Sequence, residues 1–218
     1  MLALAAQSHA TTIILTMDGN LNNYHSYTYT DADGTTHQEY TGPYPVTLSG
    51  GSYGSGAAAY VMCYDINLSA YVGHSYDGIL VLPTETAEIE AAYLLKELAD
   101  DGGYSANVQT ISGPIAMAVW QLMDSSSQNP ATFKLDPAAA SFVTAARNAY
   151  SNGTWTEAMA ANYAFWLPTP TSTTQRFGFV AGQAPTAGDI TTPEPASLAL
   201  MAAGFVVVLA LRRKAFSK

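Results

Sequence analysis

Of all the side chains here, the one with most chemical reach is Cys63, the one cysteine in 218 residues. A single Cys forms no intramolecular disulfide and no Cys-based zinc cage. It could still serve as a nucleophile if His74, eleven residues on, took its proton while Asp65 or Asp77 oriented the imidazole. Within the apolar run AAAYVMCYDINL, however, Cys63 reads first as a small buried hydrophobe, where free Cys usually sits. His25 and His37 could face each other across a hairpin, although such a pair reads as polar surface before it reads as a metal site. Asp31-Ala32-Asp33-Gly34 begins like a calcium loop, but no acidic ligand follows at the spacing an EF-hand needs, so it reads as a turn. Trp120, Trp155 and Trp166 could line a sugar-binding face, yet Trp120 falls on an apolar helix stripe and reads as core. No metal or other cofactor is expected.

These residues must be held by short strands around a helical middle. TTIILTM is a β-branched run, and Tyr24 to Thr30 with Thr35 to Thr41 reads as a hairpin turning at the DADG segment. Pro43, Pro45 and the glycines from Gly50 to Gly56 mark a loop, the Cys63 run is a buried strand, and Gly73 to Gly78 is the next loop. From Thr84 the period changes to that of a helix. Thr84 can cap it, Glu85 and Glu88 suit its first turn, and Asp100 to Gly103 end it. A second helix begins at Gly113-Pro114, a third spans Pro137 to Tyr150, and a fourth covers Thr156 to Phe165. Gln175 to Val180 is a closing strand. The expectation is α+β, with antiparallel, β-sandwich-like strands flanking the helices.

Only 11% of the residues are charged, well under the roughly 25% of ordinary soluble domains. From Thr11 to Thr192 there are 16 acidic residues against Lys96, Lys134, Arg147 and Arg176, a balance of −12. A body so acidic repels phosphate, which argues against nucleic acid as a partner.

The two ends have a different character. Residues 1–10, MLALAAQSHA, are small and apolar and finish in a small-x-small pattern, so they read as the remnant of a signal peptide or, failing that, as an apolar strand. Near the other end Pro193-Glu194-Pro195 precedes 16 apolar residues, Ala196 to Leu211, and then Arg212-Arg213-Lys214. As a helix that run would rise about 24 Å, short of a hydrocarbon core of roughly 30 Å unless basic side chains snorkel. The basic cluster would stay cytoplasmic and leave the body outside.

This three-part arrangement resembles the PEP-CTERM sorting signal of Gram-negative bacteria, read by an exosortase. The chain is thus expected to divide into a signal-peptide remnant at 1–10, a body at 11–182, a linker at 183–192 and a sorting tail at 193–218 with a transmembrane helix at 196–211. The resemblance implies cleavage near Pro193 to Pro195, then release of the body or its attachment to extracellular polysaccharide or another surface protein.

Within the body, VMCYDINL, AEIEAAYLLKEL, IAMAVWQLMD and QRFGFV, over residues 57–180, resemble bacterial thioester domains. In that family a Cys thiol and a Gln side chain condense to an electrophile that acylates a partner's amine. If Trp120 matches the motif Trp, the place of the reactive Gln falls on Ala116. Gln121 lies about 140° around the helix from that position, and Gln109 precedes the helix altogether. The expectation is therefore a non-enzymatic surface or matrix protein, with a covalent adhesin using Cys63 and Gln109 or Gln121 as the alternative.

Overall fold

A computed structural model describes residues 11–19, 25–30, 34–65, 68–123, 136–169 and 174–180. Eight strands are formed among them: β1 (Ile13–Met17), β2 (Ser26–Thr30), β3 (Thr36–Tyr40), β4 (Tyr44–Ser49), β5 (Ala57–Cys63), β6 (Ser75–Val81), β7 (Phe165–Pro168) and β8 (Phe177–Phe179). The helices are α1 (Thr86–Asp100), α2 (Gly113–Met123), α3 (Pro137–Ser151) and the short α4 (Glu157–Ala160). The mixed α and β content and the helical middle agree with the sequence. The expected sandwich does not form. Six strands instead close an antiparallel barrel in the order β1-β4-β5-β8-β7-β6, because β8 pairs with both β5 and β7 and leaves no free edge.

Pairing partners in an antiparallel ladder share a face, so the register identifies the inside of the barrel. Leu15 faces Leu48, Val46 faces Ala59, Val61 faces Phe179, Cys63 faces Phe177, and Trp166 faces both Phe177 and Leu80. All these residues are buried. Gly78 sits opposite Ile13, and a Cβ there would lie 2.2 Å from the Trp166 ring, so the absence of a side chain makes room for the indole. Each buried Trp also finds a carbonyl for its N–H: Trp166 donates to Ile13 at 3.0 Å and Trp155 to Ile89 at 2.8 Å. All three Trp belong to the core.

Two of the loops and one of the helices read from sequence are corrected. The Pro43 to Gly56 segment contains β4, a central strand in which Tyr44, Val46 and Leu48 point inward, while the Pro45 carbonyl accepts the Asp18 N–H. Gly73 to Gly78 holds the start of β6, and the fourth helix stops at Ala160, so that Phe165 opens β7. In the first two cases tertiary pairing outweighs the Pro and Gly punctuation, and in the third it outweighs a helical run. The hairpin is as expected, β2 pairing with β3 from Thr30–Thr36 to Ser26–Tyr40, with residues 31–33 of the turn outside the described set.

The helices form a second layer. A reciprocal capping box of Glu85 and Glu88 starts α1, with Glu85 rather than Thr84 at the N-cap. A single π-type turn, Val108–Ser112, leads into α2, whose residues from Gly113 to Trp120 are all buried. It packs against α1 and α3 and meets the hairpin, where a Cβ on Gly113 would lie 2.3 Å from the Tyr27 ring. Tyr27 donates a 2.5 Å hydrogen bond to Asp136, which also caps α3, so the hairpin and the third helix share one buried carboxylate. The outer face of β8 meets α1, since a Cβ on Gly178 would come within 2.6 Å of Leu95 Cδ1. No helix among the described residues is long and apolar enough to cross a membrane. The tail at 193–218 lies outside that set.

Gly78→Ala should destabilise the barrel, because its methyl group overlaps an indole that cannot retreat. Overpacking of this kind costs about 1–3 kcal/mol, a fall in melting temperature on the order of 5 °C for a domain this size, readable by calorimetry.

Candidate functional site

Cys63 ends β5 on the inner face of the barrel, with no solvent exposure. Met17, the last residue of β1, and Tyr44, the first of β4, lie at the same end. Trp120 from α2 closes that end over the cysteine. Its indole N–H donates to the Cys63 carbonyl at 2.9 Å and lies 3.4 Å from Sγ. The thiol in turn donates to the Tyr44 hydroxyl at 3.7 Å, and Tyr44 donates to the Tyr40 carbonyl. Cys63 and Trp120, quoted from separate segments of the sequence, are thus brought into direct contact.

Burial pushes the Cys63 thiol up to about 11, and its hydrogen bonds with Trp120 and Tyr44 offset only part of that rise. A thiol in that state is a poor nucleophile near neutral pH. His74 does not approach it. His74 is exposed on the turn before β6, stacked on Tyr76, while Asp65 is committed elsewhere. The Asp65 carboxylate is 2.9 Å from Arg176 Nε through both oxygens, 2.5 Å from Nη2 and 2.6 Å from the Arg176 backbone N–H. The Tyr64 ring lies 4.8 Å from the same guanidinium. The Asp of the Cys-Tyr-Asp segment therefore tethers the closing strand and does not orient a histidine.

Neither does the hairpin bring its two histidines together. His37 pairs with Tyr29 and stacks on it at 5.0 Å, whereas His25 stacks on Tyr104 at 4.9 Å, and burial lowers the His25 pKa. Among the described residues no group of three or more His, Cys, Asp or Glu could hold a metal ion.

Of the two glutamines considered for Cys63, Gln109 is exposed and bound to the hairpin, its Oε1 accepting from Thr28 N–H at 3.4 Å and its Nε2 donating to the Ser26 carbonyl at 3.2 Å. Gln121 follows Trp120 and buries an Oε1 without a partner among the described residues. A third glutamine was missed. Because Cys63 pairs with Phe177 and Tyr64 N–H bonds the Arg176 carbonyl, Gln175 falls two residues from Phe177 and on the same face as Cys63. Its Nε2 donates to the carbonyls of Asp65 at 3.2 Å and Leu68 at 2.5 Å. The alternation in QRFGFV carried this signal, since Phe177 and Phe179 inward imply Gln175 inward too.

Gln175, Tyr44 and Trp120 line one cavity of about 320 Å³ at this end of the barrel, with Met17 and the 68–72 loop completing its wall. The arrangement is a partly polar, aromatic mouth above a shielded thiol.

A family model for the PEP-CTERM protein-sorting motif matches residues 191–214. The chain therefore carries the sorting signal of an exported protein processed at the membrane by an exosortase. No curated protein and no solved structure matches the chain.

The thiol sets a pH dependence of stability. A thiol that ionises near its ordinary 9.0 in the unfolded chain, and near 11 when folded, contributes stability that is full below pH 9 and lost as pH rises toward 11. The loss is about 3 kcal/mol, and Cys63→Ser, whose hydroxyl does not ionise there, should lack it. Denaturant midpoints of both proteins across that pH range check the difference.

Proposed function

We propose that this protein is a structural or adhesive component of the cell surface or extracellular matrix, not an enzyme, delivered there by exosortase processing. The observation that carries the reading is the sorting motif at 191–214. The body at 11–182 is the delivered domain, 183–192 its linker, and Pro193, Glu194 and Pro195 mark the processing point. Ala196 to Leu211 halts in the membrane with Arg212, Arg213 and Lys214 on the cytoplasmic side. The absence of an enzyme activity is supported by a thiol that is buried and raised in pKa, while His74 is exposed and stacked on Tyr76. Extracellular polysaccharide and other surface proteins are the partners such a location offers.

In exosortase-positive cells the body should be recovered outside the cytoplasmic membrane without the residues that follow the motif. Mass spectrometry of the mature form reads both termini. Full-length protein with an intact tail in those cells would defeat the processing claim.

The placement of Gln175 favours a second reading, a covalent adhesin. The Cys63 thiol would add to Gln175 Cδ, ammonia would leave, and an Sγ–Cδ thioester would remain. Burial that disfavours the thiolate does not disfavour a neutral thioester, and the closed barrel interior would shield it from hydrolysis. The resulting body would be lighter by one ammonia, a difference lost in Cys63→Ala and in Gln175→Ala but kept in Gln109→Ala and Gln121→Ala. An unmodified mass in the native protein excludes this reading.

A further inference from the structure

The mouth of the barrel has features that neither reading uses. Tyr40 and Tyr71 line it while remaining 51% and 62% exposed, and Tyr44 and Trp120 line it from deeper positions, buried in the core. Aromatic rings so exposed cost free energy unless something covers them. The polar groups between them are acceptors. The Glu39 carboxylate makes no hydrogen bond or ion pair with another described residue, and Gln175 uses its amide N–H groups on Asp65 and Leu68 while its Oε1 accepts none from them. No Lys or Arg lines the cavity, and the body around it is strongly acidic.

Four aromatic rings with one unpaired carboxylate, in a negative field, are complementary to a cation carried on an apolar frame. Ring quadrupoles attract a positive charge, and a weakly hydrated organic ammonium gives up less solvation on entering than a metal ion. Anions are opposed by Glu39 and by the overall charge. We infer that the mouth is a reversible binding site for an organic ammonium group, with Glu39 as counter-ion and Tyr40, Tyr71, Tyr44 and Trp120 as the surrounding wall. A cavity of about 320 Å³ admits an ammonium with its alkyl substituents and a short stem. This site requires no reaction at Cys63. It holds whether or not a thioester forms.

The test uses choline, its neutral tert-butyl isostere and a neutral glucose oligosaccharide as probes, titrated calorimetrically against the full chain and against Cys63→Ala. Choline should bind both proteins equally and more tightly than its isostere, with affinity falling as salt rises. Glu39→Gln and Tyr71→Ala should each weaken it by about two- to fivefold, the range for a partly exposed ion pair or cation–π contact. Circular dichroism would confirm that these exposed positions leave the fold intact. Equal binding of choline and its isostere, tighter binding of the oligosaccharide, or no binding of choline would each overturn the proposal. Loss of choline binding in Cys63→Ala alone would also overturn it, by tying the site to the thiol. The ammonia-loss mass measurement is unaffected by any of these results, so the two ideas fail separately.

Discussion

Closure of the barrel depends on the pairing of a buried carboxylate, Asp65, with the partly exposed Arg176. The closing strand β8 has only three residues and must pair on both sides, with β5 and with β7. So short a strand supplies few ladder hydrogen bonds. Asp65, just beyond the end of β5, holds both the guanidinium and the backbone N–H of Arg176, one residue before β8 begins, and so fixes the register at which the strand enters. A buried carboxylate left without its partner is destabilising, by less here than in a fully enclosed pair because Arg176 reaches solvent, so Asp65 makes the place of Arg176 the favoured one. Four charge-assisted contacts across more than a hundred residues of chain thus do what a longer strand would do by itself.

Everything at the candidate site follows from that register. It puts Phe177 opposite Cys63, and with it Gln175 onto the cysteine's face. It leaves the barrel end open between β1, β4 and β5, an opening that Trp120 fills from the helical layer. The small residues of the chain serve the same purpose. Gly78, Gly178 and Gly113 each stand where a Cβ would collide with Trp166, Leu95 or Tyr27, so large rings and small residues are matched across the layers. The helices cover the barrel on its β5 and β8 side, whereas the outward positions of β1, β4 and β6 are half-buried or exposed.

Much of this was legible in the sequence, and what was not has a common cause. Periodicity found α1, α2 and α3 because helix signals are local, set by caps and by spacing along one segment. The hairpin was local as well. The strands β4, β6 and β7 were missed because Pro45, the Gly73 to Gly78 punctuation and the Thr156 to Phe165 run each send a stronger local message than their long-range pairing does. Barrel and sandwich differ only in whether β8 joins β5 to β7, which no window of sequence reports. The site was legible in part: the Cys63 and Trp120 segments were singled out separately, and they touch. Gln175 was overlooked because the helical motif drew attention to the neighbourhood of Trp120, whereas the geometry that matters is the alternation of a strand.

The burial of Cys63 weighs differently on each chemistry. A hydrolytic nucleophile must present a thiolate to solvent-borne substrate, and here low polarity suppresses the thiolate while Trp120 and Tyr44 cover the sulfur. An acyl-thiol has no charge to lose, so the same enclosure would protect it, with the Trp120 indole N–H the one donor beside the sulfur. A thiol, unlike a buried Val or Ala, can donate to the Tyr44 hydroxyl while taking a contact from the Trp120 indole N–H, so the group that fills this place has polar partners of its own. Both contacts lie at the end of the barrel whose cavity also carries the exposed Tyr40 and Tyr71, so the sulfur's polar partners belong to the wall of that mouth as much as to the core.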